Sequence, residues 1–482
     1  MIIQPAWQET FDFSGVLPIV IEPSDEQLSS DAGLLPLCQF DERIGLTQQF
    51  AAALDDPRRP QRIQHALLEM TRARIYGILA DYEDQNDHDT LRRDPIFKLI
   101  AGRSPADPDL ASQPTLSRFE NHVSRAALYR LKALLIDQFS ASFAQPPRHL
   151  TIDLDAVDDP AHGQQQLVLF HGFYEQYQYF PLVITSAETD QVLMLRLRHG
   201  TAHAASMADE DLAYLVERLR RAWPTVQLHI RGDAGFGVPQ MYAVCERLGL
   251  DFTFGLSANK VLKARSATLL EQAVAQFEAT GTPQRLFDGF WYQANSWPHP
   301  RWVIVKVEAQ AQGTNRRFIV TNRSGAFVLP EATYDDYVQR GESENRNKEL
   351  KTDLHMDRLS DHRFLANQFR LYLHATALNL LVRLRREIAD PPPPEPNTSV
   401  PTEALTGAAR QRYQRLRRQR DPLGEGQPCT WRTLLIKVAA SVVVSTRRIL
   451  VRLSASWPHL DHFRQVSAHV QARPAVAHCW SG

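Results

Sequence analysis

Residues 333–351 read TYDDYVQRGESENRNKELK, and four side chains in this stretch stand at fixed intervals. Arg340, Glu344 and Lys351 follow Tyr337 by 3, 7 and 14 residues. At about 100° per residue of an α-helix, all four fall within roughly 60° of one another. A stripe of one carboxylate, two cations and a phenol suits a metal ion and a phosphate group. The same spacing also fits a solvated helix with an Arg340–Glu344 pair, so the spacing alone leaves both interpretations open.

Three further carboxylates are predicted on or directly after apolar strands. From residue 149 the hydrophobic pattern alternates, which predicts a strand with Asp153 and Asp155 on one face. Residues 226–230 form a second apolar run, and Asp233 follows it in the sequence RGDAGFG. Open α/β sheets bind ligands at the carboxyl ends of their strands. Because neighbouring carboxylates are costly unless they bind a cation or face water, these positions predict a cation site.

The order of predicted elements is three strands, helix, strand, helix, strand, which favours a ribonuclease H-like α/β core with a mixed sheet. We predict a helical N-terminal region (1–148), the first part of the core (149–258), a β-rich insertion (259–330), the second part of the core with the Glu344 helix (331–390), a proline-rich linker (391–402) and a basic helical C-terminal region (403–482). Within the C-terminal region, helices are predicted over Thr430–Ser454 and His459–Val470.

Charge and composition narrow the class of protein. The net charge is −1, yet residues 401–482 carry 13 Lys and Arg against 4 Asp and Glu, a net charge of +9. Such a segment suits phosphate contact, although basic helical tails are often only solvated. The four scattered cysteines argue for a reducing compartment and against a structural zinc site. Neither a signal peptide nor a membrane-spanning apolar run is recognisable, so we expect a cytoplasmic protein.

Two other groups of side chains are candidate DNA contacts. Arg118, Asn121 and Arg125 would share one polar face of a helix that begins near residue 115, where they would either read DNA or face solvent. Trp291 and Trp297 lie in the predicted insertion, where an aromatic ring would stack on an unpaired base. Core packing is the commoner role of such aromatic residues, so this interpretation also stays open.

The pattern Tyr-x2-Arg-x3-Glu-x6-Lys resembles the signature around the last catalytic residue of insertion-sequence DDE transposases. Four more stretches resemble one subgroup, the 1380 family of insertion sequences, and the resemblance spans roughly residues 30–465. These stretches are YEDQNDHDTLRRDP, LASQPTLSRFEN, IDLDAVDDPAHGQQQ and IRGDAGFG.

The resemblance implies a catalytic triad of Asp155, Asp233 and Glu344 that binds two Mg²⁺ ions, with Mn²⁺ as a substitute. Asp155 is preferred because the family motif has a carboxylate two residues before a Thr; since Val157 stands at that Thr position, the match is imperfect and Asp153 is the alternative. Arg340 and Lys351 would bind phosphates near the cleaved end, and Tyr337 would hydrogen-bond the DNA backbone there. The family places elements that bind the transposon ends before its catalytic core, which favours a DNA-binding N-terminal region.

The implied reaction is cut-and-paste transposition in the bacterial cytoplasm, at the nucleoid. Water cleaves double-stranded DNA beside the terminal inverted repeat, and the 3′-hydroxyl then attacks target DNA, with a DNA hairpin as a possible intermediate. Joining two ends in one event implies a homodimer. Three alternatives are a ribonuclease H-fold nuclease without strand transfer, an inactive or co-opted DNA-binding protein, and a carboxylate-pair glycosidase. The cations beside Glu344 fit phosphate better than sugar.

Overall fold

The computed structural model describes residues 8–11, 17, 19–323, 329–388 and 426–472. The strands are β1 (Glu9–Phe11), β2 (Ile19–Ile21), β3 (Leu28–Ser29), β4 (His149–Ala156), β5 (Asp159–Pro160), β6 (Leu169–His171), β7 (Gln176–Tyr179), β8 (Leu182–Ser186), β9 (Val192–Arg196), β10 (Gln227–Gly232), β11 (Asp251–Leu256), β12 (Gln284–Tyr292), β13 (Arg301–Gln310), β14 (Gly313–Thr321), β15 (Ala440–Val444) and β16 (Ile449–Leu453). The helices are α1 (Leu34–Ile44), α2 (Leu46–Ala52), α3 (Leu67–Leu79), α4 (His88–Leu91), α5 (Pro95–Ile100), α6 (Gln113–Asn121), α7 (Arg125–Ser140), α8 (Ala208–Ala222), α9 (Pro239–Arg247), α10 (Lys260–Arg265), α11 (Ala267–Thr280), α12 (Pro330–Val338), α13 (Gly341–Lys348), α14 (Phe364–Ile388), α15 (Pro428–Trp431) and α16 (Leu460–Ala472).

A mixed sheet of eight strands forms the centre of the molecule, in the order β12-β13-β14-β11-β10-β4-β8-β9. Strand β10 is parallel to both β4 and β11, and the other neighbours are antiparallel. The parallel strands carry apolar side chains on one face, which packs with α7, α8 and α9 in one core, and mostly polar side chains, such as Asp153 and Arg231, on the other face. Strands β4 and β10 therefore end at the same edge of the sheet, which is where Asp155 and Asp233 are found.

Helix α14 joins the helical N-terminal region to the sheet. Its side chains are buried almost all round, because it packs against α1, α3, α6 and α7 as well as β9. The Asn379 side chain bonds both the N–H and the C=O of Val192 at 2.8 Å, and Gln368 bonds the backbone of Leu195 and Leu197. These side chains satisfy the backbone of an edge strand that would otherwise be unpaired. No helix in the described ranges is long and apolar enough to cross a membrane.

The segment predicted as a β-rich insertion extends the central sheet instead of forming a sheet of its own. Strand β14 pairs with β11 through Thr321↔Thr253, and β13 and β12 continue the sheet to its far edge. The segment begins with two helices, α10 and α11, and α11 packs on β12 and β13. The alternation in residues 302–321 predicted the strands correctly, but a period of two does not specify which strand a new one will pair with.

A second, small sheet lies beside the carboxyl end of β4. It has the order β5-β7-β6, so the chain leaves β4, forms two short strands of a hairpin and returns as β8. Strand β6 pairs with β7 and does not join the central sheet. The central partner of β4 on this side is therefore β8, at Leu182–Ser186, and β9, at Val192–Arg196, pairs with β8.

The prediction of a helix over Thr430–Ser454 was wrong. After α15 and a π-helix at Arg432–Ile436, this segment forms the hairpin β15–β16, and β15 pairs with β3 from the opposite end of the chain. The run Val442-Val443-Val444 explains the strand, because β-branched side chains favour a pleated surface. The helix predicted at His459–Val470 is confirmed as α16, whereas the linker and the basic run at 410–420 lie outside the described residues.

The C-terminal region packs into the N-terminal core instead of standing apart from the fold. Trp431 is 1% exposed, and Arg432 bonds the C-terminal carbonyls of α3, including that of Leu79 at 2.9 Å. Lys437 pairs with the buried Asp31 at 2.8 Å. Deleting the chain from residue 391 onward would therefore expose apolar core, so such a truncation does not isolate a DNA-binding function.

Candidate active site

The three predicted catalytic carboxylates come from two adjacent strands and one helix. Asp155 is the penultimate residue of β4, Asp233 directly follows β10, and Glu344 lies on α13. The Asp155 carboxylate accepts hydrogen bonds from Asn347 Nδ2 at 2.7 Å and from the N–H of Ala156 at 2.9 Å. Asp233 Oδ1 accepts a bond from the N–H of the residue two positions later at 2.8 Å. Short local bonds thus fix both aspartates at the sheet edge.

Burial raises the pKa of Asp155 from 3.8 to about 6. Arg340 opposes this rise, whereas the charges of Asp233 and, more weakly, Glu344 add to it. The charges of Asp233 and Glu344 therefore repel that of Asp155, and a cation beside Asp155 would be favourable. This repulsion at Asp155 is consistent with a cation site built from oxygen ligands.

The types of side chain at this site suit a divalent metal ion. The way these side chains are arranged suits one less well. Carboxylate oxygens are the ligands that Mg²⁺ prefers. In the part of the chain that the structure describes, however, no three His, Cys, Asp or Glu side chains converge tightly enough to hold an ion. Glu344 instead pairs with Arg340 at 3.0 Å, and its side chain is 64% exposed. Glu344 therefore does not join Asp155 and Asp233 in this arrangement of the side chains.

Asp153, the alternative first ligand, instead forms an ion pair inside the protein. Its carboxylate accepts two bonds from Arg231, at 2.7 and 2.9 Å, and Arg231 is the residue opposite it on β10. Both side chains are almost fully buried. Separating a buried carboxylate from a guanidinium that donates two hydrogen bonds to it is energetically costly. The arrangement favours Asp155 over Asp153 as the ligand.

The prediction of one uninterrupted helix over residues 337–351 was wrong. Helix α12 ends at Val338, and i→i+3 bonds such as Ser343 N–H to Arg340 C=O tighten the chain before α13. A π-helix at Glu349–Asp353 then widens it, with Leu354 N–H bonded to Glu349 C=O. The tight turn and the π-helix both change the rotation per residue. A helical wheel with a uniform 100° per residue therefore does not describe how Tyr337, Arg340, Glu344 and Lys351 are arranged.

The members of the predicted stripe still lie at one edge of the sheet, but they contact different carboxylates. Arg340 lies between Glu344, at 3.0 Å, and Asp155, at 4.0 Å. Lys351 donates to Asp158, at 2.8 Å to the carbonyl and 3.0 Å to the carboxylate. Both predicted phosphate-binding cations therefore form ion pairs within the chain.

Tyr337 is brought to the site by a glycine on β11. A Cβ on Gly255 would lie 2.8 Å from the Tyr337 hydroxyl and 2.6 Å from the backbone nitrogen of Ala234. The missing side chain lets the phenol approach the turn that holds Asp233. Gly255, like Asn347 and Asp158, was not singled out from the sequence. The signal for Asn347 was its position three residues after Glu344, which places both on neighbouring turns of one helix.

The predicted end-binding residues do not share one helix. Arg118 and Asn121 lie on α6, which ends at Asn121, and Arg125 begins α7 after the Ser124 N-cap. Arg118 and Arg125 are exposed, whereas Asn121 donates to Asp361 at 2.5 Å. The capping serine explains the break, because its side chain accepts the N–H of residue 127 and starts a new helix.

The two predicted base-stacking tryptophans have different environments. Trp297 is 5% exposed and packs edge-to-face on Tyr242 and Tyr292, so its ring belongs to the core. Trp291 is 63% exposed on the edge strand β12, with its ring 5.5 Å from that of Trp302. Of the pair, Trp291 alone presents a ring to solvent.

Replacing Asp155 with Asn should stabilise the protein at pH 8. The folded pKa lies above the ordinary value, so the ionised carboxylate costs stability, and this cost develops as the pH rises from about 4 to about 6. We expect a gain of about 1–3 kcal/mol at pH 8 and none at pH 4, from about 1.4 kcal/mol per pKa unit. Denaturant titrations at both pH values measure this gain. The exposed Asp251→Asn serves as the control, and a loss of stability at pH 8 would contradict the expectation.

An acidic site at the carboxyl edge of a mixed sheet, flanked by two cations, defines a protein with a candidate phosphoryl-transfer centre. The model of the Transposase DDE domain group 1 family matches residues 14–392. The chain therefore belongs to the DDE transposases, which confirms this part of the prediction. The cryo-EM structure of the piggyBac transposase synaptic complex with hairpin DNA is similar at 12% identity and a TM-score of 0.38, over 75% of this chain and 77% of that chain. That similarity is too distant to support an argument, and no curated protein matches the chain.

Proposed function

We propose that this protein catalyses cut-and-paste transposition, by cleaving DNA beside the ends of its element and joining them to target DNA. Family membership and the raised pKa of Asp155, to which the charges of Asp233 and Glu344 contribute, together support the proposal. Within the DDE transposases, the Tyr337–Lys351 spacing favours the 1380 family of insertion sequences. The strand order β9-β8-β4-β10-β11, with β4, β10 and β11 parallel, supports a ribonuclease H-like core.

In this proposal Asp155 and Asp233 hold divalent metal, Mg²⁺ or Mn²⁺, and Glu344 joins them after a change of its rotamer. Metal in such a site activates water and offsets the charge of the phosphate under attack. Water displaces the 3′-oxygen at the transposon end, and the liberated 3′-hydroxyl then displaces an oxygen of a target phosphate. A hairpin intermediate and a homodimer on paired ends complete the proposed pathway, which takes place at the bacterial nucleoid.

The proposed DNA contacts extend outward from the carboxylates. Arg340 and Lys351 grip phosphates near the cleaved end, and Tyr337 bonds the backbone there. The exposed Arg118 and Arg125 bind the terminal repeat, with Asn121 positioned between them by Asp361. Among the tryptophans, exposure favours Trp291 for base stacking and assigns Trp297 to packing. The basic run at 410–420 adds sequence-independent attraction to DNA.

Incubation with the ends of its own element, MgCl₂ and a target plasmid tests the function. We expect nicked or hairpin ends followed by joined products, all lost when EDTA is added. Cleavage without any joined product would instead support a nuclease, and binding without cleavage would support a co-opted DNA-binding protein. These three outcomes separate the proposed transposase from its alternatives.

Replacing Arg340 or Lys351 with Ala should reduce cleavage at least tenfold, about 1.4 kcal/mol of transition-state stabilisation. Each cation offsets phosphate charge, whereas its partly exposed ion pair stabilises the fold by at most about 1 kcal/mol. The melting temperature should therefore change little. Arg221→Ala, on the exposed face of α8, is the matched control. Full activity of both variants, or a large drop in melting temperature without DNA, would restore the plain ion-pair interpretation.

A further inference from the structure

A buried pair of opposite charges lies directly behind the two proposed catalytic aspartates. Asp153 on β4 and Arg231 on β10 face each other in the sheet, and each is 2% exposed. Asp155 and Asp233 each follow one member of this pair by two residues. Strand residues two apart share a face and are separated by about 7 Å, so Asp153 lies one strand repeat behind Asp155. The pair therefore joins the two strands immediately behind the site.

Arg231 also reaches the helix that leads to Glu344. Its Nε and Nη2 donate to the Asp153 carboxylate, and its Nη1 donates to the backbone carbonyl of Asp336 on α12 at 2.9 Å. The Asp336 carboxylate forms an ion pair with Arg323 at 2.6 Å. A guanidinium carries five N–H donors in a rigid planar fork. One side chain thus holds two strands and one helix in a fixed arrangement.

The contact with α12 lies at the break between α12 and α13. The last four carbonyls of a helix have no N–H partner within it, and a cation close to them is favourable. In an uninterrupted helix the Asp336 carbonyl would accept the N–H of Arg340. Here that N–H bonds the Tyr337 carbonyl instead, at 2.9 Å. The Asp336 carbonyl accepts from Gln339, at 3.2 Å, and from Arg231. Arg231 therefore stabilises the break, and the break sets the direction of α13.

A separate contact attaches the other end of α13 to β4. Asn347, three residues after Glu344, donates to the Asp155 carboxylate at 2.7 Å. Glu344 therefore lies between two attachments, that of Arg231 before it and that of Asn347 after it. Because the Glu344 side chain is itself 64% exposed, these attachments fix the position of its backbone more than its own packing does.

We propose that Arg231 is a positioning residue that holds the Glu344 segment against β4 and β10, the strands that carry the two proposed catalytic aspartates. The inference rests on the proposed transposase function, in which the three carboxylates act together. An arginine that only neutralised Asp153 would need no bond to α12. Without that bond the end of α12 loses an attachment, and Glu344 shifts relative to the aspartates. A displacement of about 1 Å at a reacting centre can lower a rate about a hundredfold.

Replacing both members of the buried pair separates positioning from stability. The variant Arg231→Met/Asp153→Leu leaves no uncompensated charge, and such replacements are often neutral for stability. We expect a melting temperature close to that of the unmodified protein, unchanged binding of the transposon ends and cleavage slower by at least about tenfold. Arg301→Met/Glu246→Leu removes a buried pair between β13 and α9 and is the matched control. Full cleavage by the Arg231→Met/Asp153→Leu variant would overturn the proposal.

Arg231→Lys is the second variant and decides the question if the first does not fold. It keeps a positive charge opposite Asp153, but an ammonium lacks the planar fork that holds this carboxylate by two bonds and also reaches the Asp336 carbonyl. We expect cleavage slower by at least about tenfold, with binding of the ends retained. Cleavage at the rate of the unmodified protein would show that charge alone is sufficient and would refute positioning.

Hydrogen exchange of the full-length protein tests the same inference without DNA. In the unmodified protein the N–H groups of Arg340 and Ser343 bond carbonyls within the segment. In Arg231→Lys we expect the amides of residues 334–348 to exchange at least about tenfold faster, while those of β4 and β10 keep their protection. Unchanged exchange in 334–348, or equal loss of protection in the strands, would contradict positioning. An unmodified protein that does not cleave its ends, combined with the expected exchange difference, would refute the transposase proposal alone.

Discussion

Replacing Asp155, Asp233 or Glu344 with Ala should reduce cleavage of transposon ends at least a thousandfold, about 4 kcal/mol of transition-state stabilisation. The physical reason is that, in the proposed function, each side chain would supply carboxylate oxygen to the metal that offsets phosphate charge. Binding of the ends should persist, because the exposed cations of α6 and α7 lie outside this site. Cleavage is measured on labelled ends with Mg²⁺ and binding by gel shift with Ca²⁺.

Glu342→Gln is the matched control for the triad, since this carboxylate lies on α13 two residues before Glu344 and bonds Asn345 at 3.0 Å. The control should cut at the rate of the unmodified protein. Activity within tenfold in any triad variant would remove that residue from the catalytic set. Loss of end binding in the same variants would show that the carboxylates support the fold or the DNA surface instead of the chemistry.

Replacing Glu120 with Ala should destabilise the protein by about 3–5 kcal/mol, because two buried arginines would lose their counter-charge. Glu120 is fully buried and accepts bonds from Arg74 at 2.7 Å and from Arg370 at 2.6 Å. Burial alone would raise its pKa, yet Arg370 and Arg74 outweigh burial and lower the pKa to about 2. This carboxylate thus ties α6 to both α3 and α14.

Denaturant unfolding measures this prediction, with Glu217→Ala as the control. Glu217 pairs with Arg221 on α8, but both side chains are about 70% exposed, so its loss should change stability by less than about 0.5 kcal/mol. Glu120→Gln should be milder than Glu120→Ala, because it retains the volume. A Glu120→Ala variant as stable as the unmodified protein would show that the buried cluster contributes no net stability.

The same cluster makes the helical region sensitive to acid. His88 and His374 are fully buried, and burial followed by the charge of Arg74 lowers the pKa of each to about 3. Since an ordinary His has a pKa of 6.5, the folded protein must keep both neutral, and stability falls as the pH drops from 6.5 towards 3. The carboxylate of Glu120 adds its own loss only below about pH 4.5. The loss of stability begins well above the pH at which Glu120 titrates.

Alternation and position along the chain were enough to place Asp155 and Asp233, the proposed catalytic aspartates, at strand ends. A period of two placed Asp155 on a strand, and an apolar run before Asp233 placed it at a strand end. Parallel pairing of β4 and β10 then brings both to one edge of the sheet. Membership of the DDE transposases was likewise predictable, because the spacing of Tyr337, Arg340, Glu344 and Lys351 is a property of the linear chain.

The roles of charged side chains were decided by tertiary contacts. Asp153 and Asp155 are equivalent in the sequence, and only the arginine opposite Asp153 on β10 assigns it to packing. The Glu344 helix looked uniform, but the tightened turn and the π-helix around it send Lys351 to Asp158 and leave Arg340 with Glu344. Local periodicity allows the Arg340–Glu344 pair four residues apart, but it contains no information about partners such as Arg231 and Asp158, which lie far away in the chain.

The sequence by itself determined most strand-forming and helix-forming segments, the carboxylates at the strand ends and the family, since each follows from residue types at short spacing; it failed at the hairpin β15–β16 and at the break between α12 and α13. Only the tertiary structure decided that residues 284–321 extend the central sheet, that Trp297 is buried and that the C-terminal hairpin completes a sheet with β3. The physical reason is that strand pairing and burial join residues far apart in the chain. Such contacts depend on which apolar surfaces meet. A pattern within one segment specifies only which face of that segment is apolar.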